Sequence, residues 1–198
     1  MGVLIAILAV FVLAAVYFVS LYNGLVRLRE AVKQAWSNIG VLLKQRHDEI
    51  PKLVETCRQY MTYEQETLER VLHARADVAQ AESTGNMRDL ASAESGLRTG
   101  LGRLYAVAEQ YPSLKANEGF QQLQARITGL EEQIADRREL YNAAVNLYNA
   151  RQEIFPDSII AGCGDFHPAH LLEFSAEDQQ DPSVKALFGT DPPHAPAT

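Results

Sequence analysis

Four residues late in the chain have the side-chain types that bind metal ions. Cys163, Asp165, His167 and His170 put a thiol, a carboxylate and two imidazoles within eight residues. All four types ligate Zn²⁺, and a turn at Pro168 could bring the two histidines together. Structural zinc sites draw instead on two ligand pairs separated by a loop, so one short cluster is a weak metal motif. The simpler reading is a partly ordered strap over residues 156–175 that packs Phe166, Leu171, Leu172 and Phe174 back onto the rest of the chain. No metal or other cofactor is expected. His47-Asp48-Glu49 could serve acid/base chemistry, but no nucleophile stands beside it. These three read as helix-terminus residues, His47 closing one helix and Glu49 suiting the start of the next. Cys57 falls on an apolar phase and reads as a small core residue.

A different set of polar residues repeats. Tyr141-Asn142 recurs seven residues later as Tyr148-Asn149, and both pairs echo Tyr22-Asn23. Seven residues are two helical turns, so each type returns to the same helix face. These groups are expected to hydrogen-bond between helices and fix their register. Binding a lipid headgroup is the functional alternative.

The elements that hold these residues begin with an anchor. Val3 to Leu21 is a run of 19 uncharged, mostly apolar residues. As a helix it spans about 28 Å, close to the hydrocarbon thickness of a bilayer. A signal peptide needs a basic n-region and a small-residue cleavage site; the chain starts Met-Gly-Val, and Phe18-Val19-Ser20-Leu21 fits cleavage poorly. Ala6 stands where N-myristoylation requires Ser or Thr. An uncleaved single span over residues 1–21 is expected. Arg27, Arg29 and Lys33 follow it with only Glu30 against them, which favours the cytoplasm for the bulk of the chain.

Beyond the span, apolar residues step by three and four and no stretch alternates as a strand does. One set runs Leu25, Leu28, Val32, Trp36, Ile39, Leu43, with Arg46 in the next slot. Another runs Leu53, Cys57, Met61, Leu68, Val71, Val78, with Glu64 and Arg75 filling two slots. Pro51, Gly85-Asn86 and Pro112 punctuate the pattern, giving helices over about 22–48, 51–83, 86–111 and 117–154. The apolar phase continues through Pro51, so that position suits either a turn or a kink in one long helix. The fold class is all-α: a single transmembrane helix, then an up-and-down four-helix bundle over 22–155. Gly96, Gly100 and Gly102 inside the third helix suggest close approach of a neighbour.

Charge excludes one large class of function. Residues 27–155 carry 17 basic and 18 acidic groups, whereas residues 156–198 carry Lys185 against seven acidic groups. No basic face exists to neutralise phosphates, so nucleic acid is not a partner. Residues 176–198 are acidic, include Pro182, Pro192, Pro193 and Pro196, and are expected to be disordered apart from a patch at Val184, Leu187 and Phe188.

Several segments resemble the LemA family. They include Tyr22-Asn23-Gly24-Leu25-Val26-Arg27, Ala35-Trp36-Ser37-Asn38-Ile39, the stretch from Leu43 to Thr56, Leu104 to Asn117, Arg137 to Asn142, Tyr148-Asn149 and Phe155-Pro156. The resemblance covers about residues 20–163 and implies a bacterial inner-membrane protein with one span, a four-helix bundle and a true break at Pro51. It implies no enzymatic activity, and through relatives tied to membrane remodelling it suggests scaffolding. After Ile160-Ala161-Gly162 the chain departs from the family pattern. The sequence is therefore read as a non-enzymatic membrane-anchored scaffold or adaptor that self-associates and supports membrane or envelope organisation. Its partners would be unidentified membrane or envelope proteins, with no small-molecule substrate. The alternatives are a metal-binding sensor or enzyme on the 163–170 cluster, and an adaptor for a membrane protease or envelope complex.

Overall fold

The computed structural model describes residues 1–173. Phe174, the Val184–Leu187–Phe188 patch and the acidic segment 176–198 lie outside the described residues. Among the described residues the chain is all-helical, without strands: α1 (Gly2–Arg58), α2 (Gln65–Thr84), α3 (Met87–Ala108), α4 (Pro112–Lys115), α5 (Glu118–Glu153) and α6 (Asp157–Cys163). A non-helical segment, 164–173, which starts with a turn at 164–165, follows α6.

α1 does two jobs in one rod. Its 57 residues extend about 85 Å. Over residues 2–20 every side chain is exposed, although the run is uncharged and apolar. From Leu25 onward only one face is buried, through Val32, Ile39, Leu43, Arg46, Ile50, Leu53 and Cys57. The switch from all-round apolar to one-sided patterning marks where an exposed apolar rod becomes a core helix. About 55 Å of α1, from Tyr22 to Arg58, stands beyond the apolar run.

Of the two readings open at Pro51, the structure takes the single long helix, and the true break that the family resemblance implied does not occur. α1 continues through Pro51 and ends at Arg58, so the helices expected over 22–48 and 51–83 are redivided as 2–58 and 65–84. His47, Asp48 and Glu49 accordingly lie inside a helix and not at a terminus. Proline at 51 cannot donate to the carbonyl of His47 one turn back. That carbonyl accepts instead from Arg75 Nε on α2, at 2.8 Å. A side chain from a neighbouring helix thus replaces the missing backbone donor. Replacing Arg75 with Leu is expected to cost about 1–3 kcal/mol on chemical unfolding. In a Pro51→Ala background, where a backbone N–H returns, most of that cost should disappear. Equal costs in the two backgrounds would show that Arg75 acts elsewhere.

The remaining helices pack in two pairs. α5 runs antiparallel along α1, with Trp36 against Tyr141 at 5.7 Å and the Gly24 backbone near Arg151. α2 and α3 form a hairpin whose turn is Gly85, at φ +68°, followed by Asn86, which caps α3 by accepting from the Arg88 N–H at 3.0 Å. Gly100 is buried and faces Val71 across this pair, whereas Gly96 and Gly102 are exposed with open space around them. Close approach therefore accounts for Gly100 alone. At the far end Asn117 caps α5 through the Phe120 N–H at 2.9 Å and donates to Tyr60 Oη at 3.1 Å, tying the α1–α2 connection to α5.

Candidate functional site

Two polar centres stand out, one at mid-height and one where α1 emerges from its apolar run. The first is Arg46, in the slot where α1's apolar phase calls for a hydrophobe. It is 1% exposed. Its guanidinium donates to Glu94 of α3 and, at 2.6 Å, to Glu131 of α5. Desolvation opposes its charge, but the two carboxylates outweigh that and hold its pKa above the ordinary value. Nearby, burial and then the negative charge of Glu94 raise Glu82, and burial followed by Glu131 raises the Tyr105 phenol. One turn along α1, buried Glu49 pairs with Lys52 and with Arg126 of α5, each at 3.1 Å. This centre joins three helices. Cys57 is buried as expected, and desolvation pushes its thiol up to about 12.

The second centre is built from the repeated Tyr-Asn pairs. Asn149 donates to the Ala169 carbonyl and accepts from the Ala169 N–H, both at 2.9 Å. Asn142 does the same with Leu172, at 3.1 and 2.9 Å. Between them Tyr141 Oη donates to the His170 carbonyl at 2.8 Å. The spacing explains the match. Seven residues of α5 rise about 10 Å, and three residues of extended chain cover about the same distance. The two asparagines therefore read backbone positions three residues apart in the 164–173 segment, each through both its N–H and its carbonyl. These contacts run to that segment and not between helices, as the sequence had suggested. Tyr148 is buried in the core, Tyr22 stacks edge-on against Phe166 at 5.5 Å, and Asn23 is exposed.

Phe166 and Leu172 are buried and Leu171 half-buried, while Arg29 lies over the Phe166 ring at 5.4 Å. Asp165 and His167, on either side of buried Phe166, are exposed and pair with each other at 2.9 Å. Cys163 is exposed at the end of α6, and His170 presents only its carbonyl to Tyr141. Among the described residues no three His, Cys, Asp or Glu side chains gather as a metal site, so the structure does not assemble the 163–170 cluster. Between the 164–173 segment and the α2–α3 turn lies an open cleft of about 970 Å³, bordered by Asn86, Met87, Arg88, Asn149 and His170.

The family model described as LemA family matches residues 35–186. The chain belongs to the LemA family. The matched region starts beyond the apolar run and takes in both polar centres. Among curated relatives, "Magnetosome protein MamQ 2" of Paramagnetospirillum magneticum is 25% identical, over 85% of this chain and 72% of its own length. "Magnetosome protein MamQ" of Magnetospirillum gryphiswaldense is 24% identical, over 78% and 66%. "Protein LemA" of Metamycoplasma hominis is 25% identical, over 86% of this chain and 77% of its own. LemA-family membership and the exposed apolar start of α1, the one helix among the described residues long and apolar enough to cross a bilayer, together point to a membrane location.

Proposed function

We propose that this chain is a non-enzymatic scaffold of the bacterial inner membrane, a four-helix bundle of α1, α2, α3 and α5 held on the cytoplasmic side by the start of α1. The observation that carries this reading is the continuity of α1. A single unbroken helix passes from the apolar run into the core of the body, so the body is rigidly mounted and not tethered by a linker. Such a mount suits a protein that organises a membrane surface. Self-association of the mounted bodies supplies the scaffold, and the MamQ relatives, named as magnetosome proteins, agree with a role in membrane organisation. The polar centres bear on shape and not on catalysis: one sets helix register and the other holds residues 164–173.

Sidedness is tested with one thiol. Ser113 is exposed at the end of the body far from the apolar run, while Cys57 is buried. A Ser113→Cys chain carrying Cys163→Ser should react with a membrane-impermeant maleimide only after spheroplasts are lysed, as Arg27, Arg29 and Lys33 predict. Reaction in intact spheroplasts would put the body on the envelope side.

A further inference from the structure

The α5–α6 corner exposes large apolar side chains that the body leaves uncovered. Phe155 is 76% exposed, Ile154 54% and Ile159 48%. Three such residues within six positions form a patch that water does not favour. Their height on the molecule is fixed by the α1–α5 register. Trp36 lies beside Tyr141, and Gly24 beside Arg151, so ascending α5 descends α1 at nearly equal pace. Arg151 stands two residues before the end of α5 and only three positions from Leu21 in level, and Ile154 and Phe155 follow directly in the turn to α6. α6 is held at the same height: Asp157 is buried and pairs with Arg151 at 3.2 Å, and beyond α6 Phe166 sits on Tyr22 at 5.5 Å.

We infer that Ile154, Phe155 and Ile159 form a second contact with the bilayer that α1 crosses, inserting at the boundary between headgroups and acyl chains. The occupant follows from continuity, because α6 packs on α1 and the Phe166 that follows it sits on Tyr22, next to the end of the apolar run. Exposed Tyr22, on the same rim, has the amphipathic ring found at that boundary. Apolar corners of this kind lie in the interface plane and do not span it. With the span as one contact and the corner as the other, the body cannot swivel about α1, and the α2–α3 hairpin takes one fixed orientation to the membrane. This inference rests on α1 being a membrane span.

The experiment measures depth in the full chain, reconstituted into phosphatidylcholine vesicles with or without bromine on the acyl chains. Single-tryptophan chains are made on a Trp36→Phe background by adding Phe155→Trp, Val10→Trp or Ser113→Trp. Phe155 lies outside the core, so its replacement leaves packing intact, and circular-dichroism melting confirms this for each chain. Bromine should quench emission from the Phe155→Trp chain to an extent comparable with Val10→Trp, and leave Ser113→Trp unaffected. Quenching in the Val10→Trp chain but none in the Phe155→Trp chain overturns the corner contact and leaves the anchor standing. Blue-shifted but unquenched Phe155→Trp emission overturns it equally, since protein then covers the corner. No quenching in either chain removes the anchor itself.

Discussion

Replacing Arg46 with alanine is expected to lower the stability of the body by about 3–5 kcal/mol. The loss is large because of what remains behind. Glu94 is 3% exposed and would lose the buried guanidinium it pairs with. Glu131, with a side chain 21% exposed, can turn to water and suffers less. For a domain of this size such a change lowers Tm by roughly 6–20 °C, read by circular dichroism on detergent-solubilised protein. Removing both charges should do less harm, since buried ion pairs can give way to apolar groups of similar volume at little cost. An Arg46→Met, Glu94→Leu chain should therefore melt well above Arg46→Ala. Contrast comes from Lys115 and Glu109, an ion pair with both side chains more than half exposed, whose removal should change stability by under about 1 kcal/mol. If Arg46→Ala melts within a degree or two of the parent, the buried centre does not hold the helices together.

The second large effect is local and not global. Replacing both Asn142 and Asn149 with alanine removes four hydrogen bonds to the 164–173 segment. At about 1 kcal/mol for each bond, the amides of Ala169 and Leu172 should exchange with deuterium at least 100-fold faster. The core beneath, from Ile127 to Val145 on α5, should keep its protection. An Asn149→Asp chain separates the two halves of the contact, because a carboxylate still accepts from the Ala169 N–H but donates nothing to its carbonyl. It should fall between parent and alanine. Unchanged exchange in the double variant would mean that Phe166 and Leu172, by burial alone, hold the segment in place.

Much of the architecture was legible in the sequence because burial is periodic. The steps through Leu25, Ile39 and Leu43, and through Phe120, Ile127 and Ile134, all point inward. The uncharged run was equally plain, since composition alone sets it apart. What failed were features decided by residues distant in sequence. Pro51 carries a local signal for a break, and the donor that cancels it, Arg75, comes from another helix. Residues 59–64, where α1 does give way to α2, contain neither proline nor glycine to announce a turn. Arg46 was visible as a charge in an apolar slot, yet its partners lie 48 and 85 positions away and no local pattern names them. The Tyr-Asn repeat was visible for a related reason: seven-residue spacing marks a face but not what the face meets. The 163–170 residues, a weak metal motif in the sequence, are near one another along the chain, yet Asp165 and His167 are exposed while Phe166 between them is buried.

The central claim, a rigidly mounted scaffold that self-associates in the membrane, is tested most directly by energy transfer between copies. Full chains carrying Ser113→Cys and Cys163→Ser would be labelled separately with donor and acceptor maleimides and co-reconstituted into vesicles. Transfer should exceed random encounter and persist as lipid is added at constant protein, because associated bodies stay together as the surface expands. If transfer falls on dilution to the level expected for randomly placed chains, the protein is a monomer in the bilayer and the scaffold account fails.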